Sequence, residues 1–468
     1  MIFSSYAFLL LFFPAVYVLF LVLRACRLER SALAMLVLAS LVFYGMWSWK
    51  YLGLLLGLIV VNYLLGKQQV RHRQHARLWL TVAVVFNLSV LAYFKYAGFF
   101  LAFLPSSESW HIILPLGISF FTFQKIAWHV DLYQRRLPDT GTVLEYSFFV
   151  CFFPQLIAGP IVHARTLFPQ IAPGWFNRPL TWQLGISLLT IGLVKKVLLA
   201  DPLAPGVAML FDHSQADTAL AAPDVLLAGL SYGLQLYFDF SGYADMAIGL
   251  GLMFGIKLPA NFRSPYKSAS IVEFWRRWHI TLSSFLRDYL YIPLGGNRHG
   301  QLRANGNLLI TMLLGGLWHG AGWQFILWGG VHGALLVINH YWRHLSRWRL
   351  PRLLAVPLTL LVVMLAWIPF RADSLSTSLR MFKGLADWRW SWSWSMDPAL
   401  LLTELATMQI VKSLPMVCGL LLVVVLFAPG SRRLCLKLGA TGRGVLVAVG
   451  LFMVLKALAG APDRAFLY

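Results

Sequence analysis

Two histidines set in apolar surroundings are the residues of this chain best suited to moving a proton. His279 stands in IVEFWRRWHITLSSFLRDYLYIPLGGNRHG, which begins at Ile271, and His319 in LLGGLWHGAGWQFILWGGVHG, which ends at Gly333. An imidazole titrates near neutral pH and can therefore accept a proton from a hydroxyl. Placed in hydrocarbon, such a group is costly and marks a functional position by default. Asp239 and Asp245 in YFDFSGYADMAIG, at 237–249, put carboxylates into another apolar stretch. An ionised carboxylate there needs a cation or several donors. Asp239 could orient a histidine, or make a structural bond to an arginine or to backbone amides.

Other chemistries lack their residues. No GxSxG, Walker loop, HExxH or GxGxxG appears in a strand-turn-helix context, and the glycines of GLGLMFG belong to an apolar helix, not to a nucleotide loop. Cys26, Cys151, Cys418 and Cys435 lie far apart with no CxxC, so neither a disulfide framework nor a metal site is indicated, and no bound cofactor is expected.

The elements that position the histidines must cross a membrane. Of 468 residues 59% are hydrophobic and 12% charged, against about 25% charged in ordinary soluble domains. A span needs about 20 apolar residues, which predicts an all-α bundle of about 11–12 transmembrane helices with re-entrant and interfacial helices besides. The chain reads as a single domain over 1–468 with its core motifs at 230–341. The net charge of +21 is dispersed through short loops and does not form one basic face, so membrane sidedness explains it and no nucleic-acid partner is expected. Basic loops at Arg24–Arg30, Lys67–Arg77 and Arg135–Arg136 alternate with lysine- and arginine-free loops near 105–111 and 201–224, which puts the N-terminus outside. The run at 143–160, broken by Pro154, Gly159 and Pro160, reads as re-entrant or interfacial. WRWSWSWSM at 388–396 suits the outer interface, where membrane lipids meet aromatic rings.

On a helix over 271–291, Val272, Trp275, Trp278, His279, Leu282 and Leu286 share one face, and Glu273, Arg276, Arg277, Ser283, Ser284, Arg287 and Asp288 the other. That is an interfacial amphipathic helix with His279 on its apolar side, where a packed, hydrogen-bonded histidine is the alternative to a reactive one. From Asn307 to Trp318 a helix climbs about 18 Å, which brings His319 near mid-membrane before HGAGW interrupts it.

Long stretches of the chain resemble the membrane-bound O-acyltransferase family, and within it the subgroup that includes the integral membrane subunit of bacterial alginate O-acetylation. They are MIFSSYAFLLLF, LPLGISFFTFQ at 114–124, FFPQLIAGPI at 152–161, LYFDFSGYADMAIGLGLMFG at 236–255, and the two histidine motifs. The resemblance implies a funnel-like bundle with a thin centre, His319 as the essential catalytic residue and His279 at the family's other polar position. Trp318, Trp275, Trp278, Asp239, Tyr237 and Ser283 are then the candidates for supporting or positioning substrate; Arg276, Arg277 and Arg298 could attract the donor's phosphates at the cytoplasmic mouth, with anchoring to interfacial lipid the commoner use of such arginines. The expected reaction is O-acetyl transfer from a cytosolic donor, acetyl-CoA, across a bacterial inner membrane for O-acetylation of an exopolysaccharide of the alginate or cellulose type; the same subgroup is similar to proteins that acetylate peptidoglycan. A periplasmic acetyltransferase partner and a polysaccharide synthase complex are expected beside it. The rival reading is a transporter or export channel in which Asp239, Asp245 and the histidines relay protons; the lack of an inverted repeat speaks against it.

Overall fold

With no water in the bilayer core to satisfy backbone polar groups, a chain this apolar must pair them within helices. The computed structural model describes residues 1–101, 112–215, 220–346, 348, 350–389 and 394–459, and all regular structure among them is helical. By its own contacts the chain divides into two compact units. One comprises Met1–Ile191, Tyr243–Ala260 and Ala440–Val447, the other Gly192–Gly242, Asn261–Gly439 and the chain from Ala448.

The first unit opens with α1 (Phe13–Ala25), α2 (Glu29–Gly45), α3 (Trp49–Arg71), α4 (Ala76–Leu101) and α5 (Ile118–Tyr133). α5 starts after Gly117, whose φ of +72° only glycine adopts without strain and whose added Cβ would meet the Leu156 carbonyl. Its interior is unexpectedly polar. The buried His129 faces Asn62 and Gln69 at 3.1 Å each, and Asn87 donates to Asn62. The run at 143–160 is two short helices, α6 (Val143–Cys151) and α7 (Phe153–Leu156), broken at Phe152 ahead of Pro154, so it makes no straight crossing. Thr142 and Glu145 close a capping box at the start of α6. α8 (Ala164–Ile171) follows, and α9 (Trp182–Leu193) carries the chain out of this unit.

The second unit holds both histidine motifs. A π-helical turn, Val194–Ala200, leads to α10 (Ala204–Gln215) and the long α11 (Ala222–Met253). Two short helices, α12 (Ile271–Trp275) and α13 (Ile280–Leu286), precede the hairpin of α14 (Gln301–His319) and α15 (Trp323–Leu345), and α16 (Arg352–Arg371) packs on α15. α14 and α15 approach to backbone contact through glycines. A Cβ on Gly316 would strike the Phe325 carbonyl oxygen, and one on Gly329 the Met312 carbonyl oxygen. Gly329→Ala should therefore cost about 1–3 kcal/mol of stability, because backbone must move. Gly330→Ala is its control. There the new methyl meets only a leucine side-chain carbon at 3.5 Å, and thermal melting in detergent should separate the two variants.

Six described helices are long and apolar enough to cross a membrane, or seven if the pair Leu414–Phe427 and Ser431–Lys437, bent by 66°, forms one span. The expected eleven to twelve included every apolar helix, several of which are short or polar. α2 has 17 residues and α5 only 16, and α14 carries Asn305, Asn307 and His319. Sixteen residues rise about 24 Å, less than a full hydrocarbon core of about 30 Å. Of the tryptophan-rich stretch, residues 390–393 lie outside the described residues; Trp388 is exposed, and the Trp394 indole donates to Asp224 at 2.9 Å.

Candidate active site

His319 is the last residue of α14. Gly320 and Gly322 take extended backbone before Trp323 starts α15, so the interruption expected at HGAGW is a true unwinding between two helices. Three aromatic rings stand edge-on around the imidazole, with centroids at 4.7 Å for Trp318, 5.0 Å for Trp328 and 5.0 Å for Phe370. His319 is nevertheless only partly buried. An imidazole walled by aromatic groups yet still accessible is what proton transfer to or from a small reactant requires.

His279 is held differently. The continuous amphipathic helix expected over 271–291 is not formed: α12 ends at Trp275, and His279 itself has φ 41° and ψ 54°, a left-handed conformation that is strained for a non-glycine residue. The cause is Asn261. Its backbone carbonyl accepts from the Ile280 N–H at 3.0 Å, and its Oδ1 accepts from the Thr281 N–H at 3.3 Å and hydroxyl at 2.9 Å. The same oxygen lies 3.1 Å from His279 Nδ1. An amide oxygen offers no proton, so Nδ1 carries the hydrogen and Nε2 is the basic nitrogen of the neutral ring. The break turns the buried imidazole onto Phe240, at 4.7 Å. Asn261→Leu removes the acceptor that holds this turn. It should cost about 1–3 kcal/mol by the loss of buried hydrogen bonds, read by thermal melting, and lower the transfer rate with it.

One aromatic cluster joins the two sites. Its path runs from His319 to Trp328, then to Trp367 at 5.9 Å, Trp278 at 4.9 Å, Phe262 at 5.1 Å and Phe240 at 5.0 Å, where His279 rests. Trp275 reaches Trp328 at 5.8 Å, and Tyr237 reaches Trp278 at 6.4 Å and Tyr266 at 5.2 Å. Trp275, Trp278, Tyr237 and Trp318 thus stand together around the histidines. Ser283 does not join them; its hydroxyl donates to the Trp278 carbonyl at 3.4 Å. Arg276 and Arg298 are exposed, and Arg277 pairs with Glu273 at 2.6 Å.

Two features escaped the reading of the sequence. Asp239 pairs with Lys196 at 2.7 Å, and the same ammonium holds Asp201 at 2.9 Å. The signal was two consecutive lysines in the otherwise apolar LVKKVLLA. The second is His332, fully buried in α15 one helical turn after Trp328 and 4.8 Å from its ring. It was visible only as a histidine within a span.

The model of the family described as MBOAT, membrane-bound O-acyltransferase family, matches residues 89–368. The chain is 42% identical over 423 residues to a peptidoglycan O-acetyltransferase of Helicobacter pylori, covering 82% of this chain and 80% of that protein. To a probable alginate O-acetylase of Azotobacter vinelandii it is 43% identical over 408 residues, with 83% and 79% covered. A teichoic acid D-alanyltransferase of Bacillus subtilis is 27% identical over 256 residues, covering 52% of this chain and 64% of its own.

Proposed function

This chain belongs to the membrane-bound O-acyltransferase family and is a multi-pass membrane acyltransferase; from that premise we propose that it moves an acetyl group from cytosolic acetyl-CoA, across the bacterial inner membrane, for O-acetylation of an exopolysaccharide. The accessible His319 imidazole at the unwound end of α14 carries the reading. The acceptor hydroxyl attacks the thioester carbonyl carbon while His319 takes its proton. The C–O bond forms, the C–S bond breaks, and the proton passes from the imidazole to the departing thiolate. Trp318, Trp328 and Phe370 shield one side of this chemistry from water, which strengthens its electrostatics. His279 positions a reactant or assists proton transfer, and the exposed Arg276 and Arg298 draw in the donor's phosphates.

Relatives named for alginate and for peptidoglycan support a polysaccharide acceptor of that kind. Transfer passes through a periplasmic acetyltransferase that works beside the polysaccharide synthase. The test is purified protein in detergent or vesicles with acetyl-CoA labelled in the acetyl group and an oligosaccharide acceptor, with and without that partner. Label leaving the thioester in a His319-dependent manner supports the reading. Label that remains entirely on coenzyme A under every condition overturns it.

A further inference from the structure

His332 has no place in this chemistry, and its surroundings make it expensive. Its ring is 0% exposed, and neither nitrogen has a hydrogen-bond partner among the described residues. Phe274 lies parallel to it at 6.3 Å, and Trp275 and Trp328 stand edge-on at 5.1 Å and 4.8 Å. The indole N–H groups of Trp275 and Trp328 are buried and likewise without a partner among the described residues. A buried polar atom left unsatisfied costs free energy that phenylalanine at each position would not. Three such side chains in mutual ring contact are accounted for if their partner is a ligand.

We propose that Trp275, Trp328 and His332 form a subsite for the acyl carbonyl oxygen of the donor, adjoining His319 across the Trp328 ring. The inference rests on the thioester-donor reading above. The chemistry of the donor set favours this ligand. Two indoles and a neutral imidazole offer three N–H donors and one acceptor nitrogen, with no charged group among them. With no cationic group among these ring contacts, the site suits a neutral carbonyl better than a carboxylate or phosphate, whose full charge would need a counter-ion. Trp328 touches both imidazoles, which places such an oxygen next to the aromatic wall of the group that takes the hydroxyl proton. Donors fixed in a water-poor site would also stabilise the charge that grows on that oxygen as the bond forms.

Two unreactive donor analogues test this. S-acetonyl-coenzyme A keeps a carbonyl but has no leaving thiolate, and S-propyl-coenzyme A lacks the carbonyl. In calorimetric titrations of the full-length protein in detergent, the wild type should bind the ketone about tenfold more tightly, the size of one or two hydrogen bonds. Trp328→Phe and His332→Phe keep a ring and remove the polar atoms. Each should bring that preference to about threefold or less; His332→Phe should melt at or above the wild-type temperature, Trp328→Phe below it because the smaller ring leaves a cavity in the cluster, and His332→Gln should restore part of the preference. An unchanged preference in both phenylalanine variants overturns the subsite. So does a His332→Phe protein that melts lower and loses both ligands equally, since that is a packing role. A wild type that binds neither analogue removes the donor reading itself, and the subsite with it.

Discussion

A His319→Ala protein should insert, fold and melt like the wild type and yet transfer acetyl about 10²–10⁴-fold more slowly, the range a general base contributes. The two halves of this expectation have separate grounds. The imidazole is partly accessible at the end of a helix, so its removal opens no sealed core cavity. The rings of Trp318, Trp328 and Phe370 that wall it keep their contacts with the remaining cluster, such as Trp328 with Trp367 and Phe370 with Trp367. Transfer from labelled acetyl-CoA, measured beside a melting curve, reads both. Wild-type rates in this variant would move the base elsewhere, with His279 the next group to test. His279→Ala gives a different pattern, because that residue sits in a strained turn tied to Asn261, and stability should fall together with rate.

The two histidines also show what a linear chain discloses. HGAGW was legible as a break because the cause is local: glycines at 320 and 322 weaken a helix wherever they stand. The break at His279 was not legible. The wheel placed Val272, Trp275, Trp278 and His279 on one stripe, and Trp275 and Trp278 do share a cluster. The helix stops because Asn261, 18 residues upstream, takes the Ile280 and Thr281 N–H groups that a continuous helix would have used itself. A periodicity argument contains no term for such a distant acceptor. The short α5 is a related case. Its apolar average suggested a plain span, whereas His129 belongs to a buried polar network with partners on α3 and α4. Hydropathy averaged over a window hides a single polar face when the rest of the helix is apolar enough.

The pairing of Lys196 with Asp239 spans 43 positions and leads to the second large effect. Both side chains are 1% exposed, and Lys196 also holds Asp201, which is 20% exposed. Lys196→Met deprives two carboxylates of their shared ammonium, and breaking a buried pair from one side costs about 3–5 kcal/mol. Because α11 carries both Asp239 and the Phe240 that packs on His279, the loss should spread to the site, with a lower melting temperature and slower acetyl transfer together. Replacing both charges, as Lys196→Met with Asp239→Leu, removes the buried pair as a whole and should recover most of the melting temperature. Recovery of stability without recovery of rate would mean that Asp239 serves the reaction directly. Recovery of both would make the ion pair a matter of folding alone. Should Lys196→Met by itself melt unchanged, the pair bears no weight in the native state and the route from α11 to His279 must be abandoned.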